Sequence, residues 1–227
     1  MIIITGASRG IGSYLFNEFR LKGETVFGTY NSTTPNSEQL EYMAKVNIAN
    51  SSNVKTWIDS IKHSFENTVL INCAGITYNS FAHKADLESW SNVITTNLIG
   101  TFNVIREVLP VMREKGYGRI INMSSVVAQT FVPGTSAYAA SKSGLWGLTK
   151  SIAAENAKKG ITINNLNLGY FNLGMINDVP KEYQSKLKEK ILAENFGEPE
   201  NILSSVKCLI NNDYINGTSI DVNGGLY

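Results

Sequence analysis

Short apolar runs alternate with longer amphipathic stretches along the whole of this 227-residue chain. The short runs are rich in β-branched and aliphatic residues, and Gly, Asn or Ser bound several of them, which is typical of buried strands. They predict seven strands, at residues 2–5, 25–29, 44–48, 69–72, 119–124, 162–167 and 218–222.

The stretches between the predicted strands have the periodicity of helices. Ile11, Leu15 and Phe19, for example, recur at four-residue intervals and so share one helical face. Regular strand–helix alternation predicts an α/β fold, with a doubly wound parallel sheet of about seven strands and helices on both faces. Because no repeat, low-complexity run or linker interrupts the pattern, we expect residues 1–227 to form a single domain.

Composition excludes several classes of function. The net charge of +1 gives no electrostatic case for binding nucleic acid or a membrane surface. No apolar stretch approaches the roughly 20 residues that span a bilayer, and the N terminus lacks the features of a signal peptide. Cys73 and Cys208 lack the spacing of a metal pair, so no metal site is predicted. We expect both thiols to be reduced and buried in a cytoplasmic protein.

The first predicted strand runs directly into a glycine-rich turn. Gly6, Gly10 and Gly12 permit a tight turn and a close approach of the backbone to a pyrophosphate at a helix N terminus. Ser8 and Arg9 add hydrogen-bond donors for phosphate. The Gly-Lys-Ser/Thr ending of a Walker loop is absent, and the spacing G-x-x-x-G-x-G differs from G-x-G-x-x-G.

The end of the second predicted strand bears on the choice of nucleotide. A site for NAD(H) usually places an Asp or Glu there to hold the ribose hydroxyls, whereas the first acidic residue here is the distant Glu38. Arg9, Asn31 and Ser32 are suited instead to a 2′-phosphate. The sequence therefore favours NADP(H), with NAD(H) as the alternative.

Tyr138 and Lys142 lie four residues apart in a segment that begins a predicted helix at Ser136, so both project from one face. Lowering the pKa of a tyrosine by about 2–3 units takes roughly 3–4 kcal/mol. One ammonium about 5 Å away, at an effective dielectric near 20, supplies about 3 kcal/mol. The pair is therefore suited to acid–base catalysis without a histidine.

Further motifs occur in a fixed order around this pair. They are Thr5–Gly12, Asn72-Cys73-Ala74-Gly75, Asn97 within Thr-Asn-Leu, Ser125 thirteen residues before Tyr138, and Asp221-Val222-Asn223-Gly224-Gly225. In these motifs the chain resembles the short-chain dehydrogenase/reductase family over essentially its whole length, and it is most similar to the 3-oxoacyl-acyl-carrier-protein reductase branch. The resemblance implies a single Rossmann-like domain.

The resemblance implies four catalytic residues. Ser125 positions the substrate oxygen, Tyr138 transfers the proton, and Lys142 lowers the Tyr138 pKa and binds the nicotinamide ribose. Asn97 holds a water that links Lys142 to solvent. Hydride passes directly between the nicotinamide and the carbonyl carbon.

The glycine turn and the resemblance together predict the nucleotide site. Its residues are Gly6, Ser8, Arg9, Gly10, Ile11, Gly12, Asn31, Ser32, Asn47, Ile48, Asn72, Ala74, Gly75, Tyr138, Lys142, Gly169 and Phe171. Three positions depart from the family pattern: Leu168 replaces a proline, Leu173 replaces a nicotinamide-contacting threonine, and Asn47 replaces an aspartate near the adenine.

The resemblance also implies a substrate lid at about residues 170–195, with apolar Tyr170, Phe171, Leu173 and Met175 at its mouth. A 3-oxoacyl thioester or a similar small ketone is the expected substrate, although Gly116 stands where acyl-carrier reductases often have a basic residue. The alternatives are a sugar or alcohol dehydrogenase acting oxidatively and a non-catalytic NADP-binding regulator. A homotetramer or homodimer is expected.

Overall fold

The computed structural model describes residues 1–130, 132–174, 176 and 179–226. Its centre is a seven-stranded parallel sheet of strand order β3-β2-β1-β4-β5-β6-β7, which confirms the predicted Rossmann-like α/β fold. The strands are β1 (Ile2–Thr5), β2 (Val26–Tyr30), β3 (Met43–Lys45), β4 (Val69–Asn72), β5 (Gly118–Ser125), β6 (Ile161–Leu168) and β7 (Ser219–Val222).

Eight α-helices within the described residues accompany the sheet. They are α1 (Gly10–Leu21), α2 (Ser37–Leu40), α3 (Ser51–Ile61), α4 (Leu87–Ile94), α5 (Gly100–Lys115), α6 (Ser136–Asn156), α7 (Lys181–Lys188) and α8 (Pro199–Asn211). A π-helical turn, Thr95–Ile99, joins α4 to α5. The chain contains four 3₁₀ turns in the same described part, and one of them, Val126–Ala128, directly follows β5.

Each face of the sheet has its own apolar layer. On one face, residues of α1 and α8 such as Phe16 and Ile202 pack against the sheet and are fully buried. On the other face, α3 and α5 contribute Val54, Ile105 and similar residues, and the C-terminal half of α6 joins them through Ile152. Burial on both sides explains why the central strands are continuous apolar runs in the sequence.

The third strand is shorter than predicted. It ends at Lys45 rather than at residue 48, because the following residues turn toward α3. The Asn47 side-chain oxygen accepts from the Ala49 amide, and the Asn50 side chain caps α3 by accepting from the Asn53 amide. Side-chain oxygens of this kind compete with a strand ladder for backbone donors.

The two cysteines and the predicted lid region lie outside the sheet and can also be compared with their predictions. Cys208 is exposed on α8 and Cys73 is half-buried, so the prediction that both thiols are buried is wrong. The apolar positions of α8 leave position 208 on the solvent side. The predicted lid region contains α7, and its Ile176 and Ile191 pack in an apolar cluster with Val126, Phe196 and Leu226 from outside the lid. Met175 lies outside the described residues. No helix within the described ranges has the length and apolar character needed to cross a bilayer.

Candidate active site

The glycine turn lies where the strand order reverses, between β1 and β4. In open α/β sheets, ligands bind outside the carboxyl ends of the strands at this point. Gly6 has a positive φ of 66°, and a Cβ there would come within 2.7 Å of the Ala74 Cα, so only glycine lets the two loops converge. Gly12 packs directly on the Gly6 carbonyl in the same way. The first turn of α1 contains no acidic residue, which leaves its positive end available to an anion.

Two buried threonines hold this turn in place. The Thr29 hydroxyl accepts from the Gly6 amide at 3.2 Å, and the Thr5 hydroxyl accepts from the Ala74 amide at 3.2 Å. The structure thereby fixes the loops after β1 and β4 relative to each other. Thr29 is not among the site residues that the sequence predicts, although its place near the end of a predicted strand is a usable signal.

The residues predicted to distinguish NADP(H) from NAD(H) lie at the ends of neighbouring strands. Arg9 begins α1 as its N-cap residue, and Asn31 and Ser32 follow β2. All three are exposed, and Ser8 beside them is half-buried. The geometry therefore offers one guanidinium and several polar side chains at the edge where a nucleotide ribose would lie.

The loop after β3 is anchored to α5. Asn103, which is 8% exposed, donates to the Ile48 carbonyl at 2.9 Å, and Gly100 allows the Ile48 side chain to pack on the start of α5. Asn47 is exposed at the same edge, with its side-chain oxygen already accepting one hydrogen bond. A carbonyl-type oxygen has a second lone pair, so Asn47 keeps the capacity to accept another.

Tyr138 and Lys142 occupy the N-terminal half of α6, as predicted. Lys142 is only 5% exposed, and its ammonium donates to the Met123 carbonyl of β5 at 2.6 Å. The same nitrogen lies 5.5 Å from the centre of the Tyr138 ring. A Cβ built on Gly75 would lie 3.8 Å from it, so the loop after β4 also reaches the ammonium.

Ser125 ends β5 and begins the 3₁₀ turn that follows. Its hydroxyl accepts from the Val127 amide at 3.3 Å, which orients the side chain at the carboxyl edge of the sheet. Ser125 is also a hydrogen-bond partner of the Tyr138 hydroxyl, and this bond lowers the Tyr138 pKa. Ser125, Tyr138 and Lys142 are thus gathered at one edge, although they come from different elements.

Asn97 lies in the π-helical turn and is 1% exposed. Its side chain accepts from the Ile76 amide at 2.8 Å, and it donates to the Ile76 carbonyl at 2.9 Å and to the Ser141 hydroxyl at 3.1 Å. The Ser141 hydroxyl donates in turn to the Tyr138 carbonyl at 2.7 Å. Asn97 therefore connects the loop after β4 with α6, and π-helical turns are frequent at functional sites.

The electrostatics differ from the sequence-based expectation. Burial raises the pKa of Tyr138 to about 12, and the hydrogen bond with Ser125 only partly opposes this rise. Burial also lowers the pKa of Lys142 to about 8, while the Cys73 thiol acts weakly in the opposite direction. The predicted lowering of the Tyr138 pKa by Lys142 is absent here, because desolvation of the phenolate is the larger effect in the protein alone.

A row of polar residues crosses the sheet just below this edge. Asn72, Asn122, Asn165 and Ser219 are register partners on four adjacent strands. Each amide donates to the next residue toward β7, at distances of 2.9, 3.2 and 2.9 Å. The Asn72 side chain is therefore engaged within the sheet, and its oxygen is a buried acceptor without a partner among the described residues. A nucleotide contact of Asn72 stays a prediction.

The segment after β6 reaches the glycine turn at Gly174, since a Cβ on Gly10 would lie 3.6 Å from the Gly174 Cα. Gly169 approaches Asn223 so closely that a Cβ would come within 2.8 Å of the Asn223 Cα. Phe171 is buried and pairs with Gly197, and Leu173 packs against the apolar layer of α1 and α8. Leu168 extends β6 by pairing with Val222, a position at which the family's proline could not donate to a ladder.

Comparison with known proteins decides the family. Residues 1–184 match the model of the short chain dehydrogenase family. The chain belongs to this family. Its members are oxidoreductases that act on CH–OH or carbonyl groups and bind NAD(P)(H). Within the described residues, no group of three His, Cys, Asp or Glu side chains is placed to hold a metal.

Named relatives cover nearly the full chain. It is 33% identical to the 3-oxoacyl-[acyl-carrier-protein] reductase FabG of Haemophilus influenzae, over 99% of this chain and 97% of the relative. It is 34% identical to the acetoacetyl-CoA reductase of Rhizobium meliloti, with the same coverage. A solved structure of a putative gluconate dehydrogenase from Agrobacterium tumefaciens superimposes with a TM-score of 0.91 at 24% identity, covering 100% of this chain and 95% of the other, and supports the fold.

Proposed function

We propose that this short-chain dehydrogenase is an NADPH-dependent reductase of 3-oxoacyl thioesters or similar small ketones. The observation that carries the proposal is the buried Lys142 ammonium, bonded to the Met123 carbonyl and 5.5 Å from the Tyr138 ring at the edge that also bears Ser125. A hydroxyl that can position a substrate oxygen thus stands beside a proton donor and a fixed cation.

The residues present fit a nicotinamide dinucleotide. The turn of Gly6, Gly10 and Gly12 brings main-chain donors and the free N terminus of α1 together at the switch point of the sheet. When bound, the nucleotide would supply the hydride and, in its oxidised form, a positive charge on its ring. Ile11, Ala74, Gly75, Gly169 and Phe171 would complete the site.

The protein's own residues handle the proton. Ser125 donates to the substrate oxygen and orients the carbonyl, and Tyr138 gives its hydroxyl proton to that oxygen as the alcohol forms. Lys142 stabilises the resulting phenolate by its charge, and Asn97, through Ile76 and Ser141, keeps the surrounding loop and α6 in place. Because the Tyr138 pKa lies well above 7, the hydroxyl is protonated at neutral pH and can donate in this direction.

Two observations favour a 3-oxoacyl thioester. The relatives quoted above are named as reductases of acyl-carrier-protein and coenzyme A thioesters. The lid segment at about residues 170–195 rests on an apolar cluster that includes Val126, next to Ser125, and Phe196. Tyr170, Val179 and Leu187 pack on this cluster and are only partly buried, so they offer apolar surface to an acyl chain. Contact with such a surface contributes about 25 cal/mol per Å² of apolar area buried.

The substrate assignment is tested by steady-state assays with acetoacetyl thioesters, simple ketones and keto-sugars, each with NADPH and NADH. We expect kcat/KM for the thioester to exceed that for keto-sugars by about tenfold or more, since recognition of an apolar chain contributes a few kcal/mol. Faster oxidation of a sugar or alcohol would contradict the substrate assignment. Absence of turnover on every substrate would favour the alternative that the protein is a non-catalytic NADP-binding regulator.

The nucleotide assignment rests on Arg9, Asn31 and Ser32. We expect NADPH to bind more tightly than NADH in calorimetry, and Arg9→Ala to narrow that gap by about tenfold, the effect of losing one charge-assisted bond. Arg106→Ala, which removes an exposed arginine from α5, is the matched control and should leave the ratio unchanged. Tighter binding of NADH by the unaltered protein would overturn the assignment.

We also propose that residues 1–227 form a single domain and that the protein is cytoplasmic. We further propose that it assembles as a homotetramer or homodimer. Leu87 on α4, Ile99 in the π-helical turn and Phe102 on α5 are large apolar side chains at 75%, 47% and 42% exposure. Exposed apolar side chains on adjoining elements are suited to contact with another subunit. A monomer in multi-angle light scattering would contradict the assembly.

A further inference from the structure

Strand β5 contacts Lys142 at two separate points. The Met123 carbonyl accepts from the Lys142 ammonium at 2.6 Å, and the Ser124 hydroxyl donates to the Lys142 main-chain carbonyl at 3.3 Å. The next residue along the strand is Ser125. Three consecutive residues of one strand thus hold the head of the lysine, hold its backbone, and provide the hydroxyl proposed to orient the substrate.

The Ser124 hydroxyl has a second partner on α6. Trp146, one turn after Lys142, donates its indole N–H to the Ser124 oxygen at 3.3 Å and to the Asn167 side-chain oxygen at 3.1 Å. Ser124 and Asn167 are register partners on β5 and β6, and Asn167 donates to Asp221 of β7 at 2.8 Å. Ser124 and Asn167 are 4% and 1% exposed, so these bonds lie in a largely water-free environment.

We propose that Ser124 is a positioning residue, which acts through its hydroxyl on Lys142 and fixes the distance between Lys142 and Ser125. The proposal rests on the proposed function only in that the fixed distance serves proton transfer by Tyr138. Lys142 is hydrogen-bonded to β5 both at its ammonium and at its main-chain carbonyl. These directional bonds prevent α6 from sliding along β5, which apolar contact alone does not prevent. Misplacement of a reacting group by about 1 Å costs up to a hundredfold in rate.

The surroundings of Lys142 make its titration a sensitive reporter of the contact between Lys142 and β5. Cys73, from the end of β4, and Tyr138, from α6, are the titratable neighbours that the structure places around it. Ser124 of β5, Asn167 of β6 and Asn97 of the π-helical turn are uncharged. A loosened contact with β5 would admit water to the ammonium, and burial is the main cause of its low pKa.

The experiment compares Ser124→Ala, Ser124→Thr and Trp146→Phe. The Lys142 resonance is followed by NMR of protein labelled with ¹³C-lysine, assigned by its loss in Lys142→Arg, while kcat and KM are measured in parallel. We expect Ser124→Ala to raise the Lys142 pKa by about half a unit or more and to lower kcat by about tenfold or more with KM little changed. Ser124→Thr, which keeps the hydroxyl, should behave as the unaltered protein.

Trp146→Phe removes the indole donor and keeps a smaller aromatic ring, and it should shift the Lys142 pKa less but in the same direction. This variant tests the proposal if Ser124→Ala does not fold. An unchanged Lys142 titration in the alanine variant would overturn the proposal. Equal defects in the alanine and threonine variants would also overturn it, since they would indicate packing rather than the hydroxyl. An inactive unaltered protein would refute the proposed function alone, because the NMR titration still reports on Ser124.

Discussion

Helices α6 and α8 both pack on the sheet, but their buried faces have different chemistry. The buried residues of α8 are Ile202, Leu203, Val206 and Leu209, all of them apolar. The buried face of α6 mixes small and apolar residues with four polar ones, Ser141, Lys142, Thr149 and Asn156. Hydrogen bonds join this face to β5 and β6, among them Thr149 to Asn165 at 2.8 Å and Asn165 to the Leu145 carbonyl at 3.4 Å.

The two interfaces are suited to different tasks. Apolar contact is non-directional and contributes free energy in proportion to the area removed from water. A buried hydrogen bond adds only about 1 kcal/mol net, but it defines the position of two atoms. Helix α8 therefore stabilises the fold, whereas α6, which carries Tyr138 and Lys142, is held in one register on the sheet.

The largest expected effect on stability comes from the apolar interface. Ile202 of α8 is fully buried, so Ile202→Ala should lower the free energy of unfolding by about 2–5 kcal/mol. Turnover per folded molecule should stay within about twofold, because the site lies elsewhere. Urea denaturation and active-site titration measure the two quantities. Ser204→Ala on the exposed side of α8 is the control, and a large loss of turnover in Ile202→Ala would contradict the comparison.

The second prediction concerns the buried charge on α6. Because the Lys142 pKa falls to about 8 from 10.5, the unfolded chain binds more protons between these values, and stability from this group rises with pH. Lys142→Met should remove this dependence, so the variant gains stability relative to the unaltered protein at pH 7. That difference should shrink by about 2–3 kcal/mol between pH 8 and pH 10.

The raised pKa of Tyr138 acts in the opposite sense, and only above pH 10, where the unfolded chain ionises first. Burial also raises the pKa of Cys73, from 9.0 to about 12, so this thiol acts in the same sense as Tyr138 from about pH 9. Because Lys142→Met keeps both groups, the stability difference between the variant and the unaltered protein isolates Lys142. A stability difference between Lys142→Met and the unaltered protein that stays constant from pH 7 to pH 10 would refute the buried charge.

The smallest stability effect is expected for the hydrogen-bonded interface. Thr149→Val keeps the shape of the side chain but removes the bonds to Asn122 and Asn165, at a cost of about 1–2 kcal/mol. Turnover should nevertheless fall severalfold, because the register of α6 is loosened. Thr149→Ser keeps the hydroxyl, so its stability and its turnover should both match those of the unaltered protein. Loss of stability with unchanged turnover in the valine variant would show that the interface has no role in positioning.

Much of the fold could be predicted from the sequence. The central strands are buried on both faces, so their apolar runs are strong signals, and the ends of β1 and β4 coincide with the prediction. The glycine turn and the Tyr138–Lys142 spacing depend on local backbone geometry, which a sequence pattern reports directly. The structure accordingly brings Ser125, Tyr138 and Lys142 to one edge of the sheet.

The features that could not be predicted depend on partners distant in sequence. Asn122 and Asn165 weaken the apolar pattern of their strands, and only the register of β4, β5 and β6 reveals that they bond to each other. The polar residues on the buried face of α6 could not be predicted for the same reason, since they bond to strands distant in sequence. The pKa of Tyr138 was predicted from charge spacing alone, and the degree of burial, which depends on the whole fold, reverses its direction.

Proton donation by Tyr138 is the chemical step on which the proposed function depends, and one substitution removes the donor. Tyr138→Phe removes the hydroxyl and keeps the ring, so turnover with NADPH and an acetoacetyl thioester should fall by at least about a hundredfold while the Kd for NADPH changes little. Near-normal turnover in that variant, measured alongside the unaltered protein, would contradict the role assigned to Tyr138.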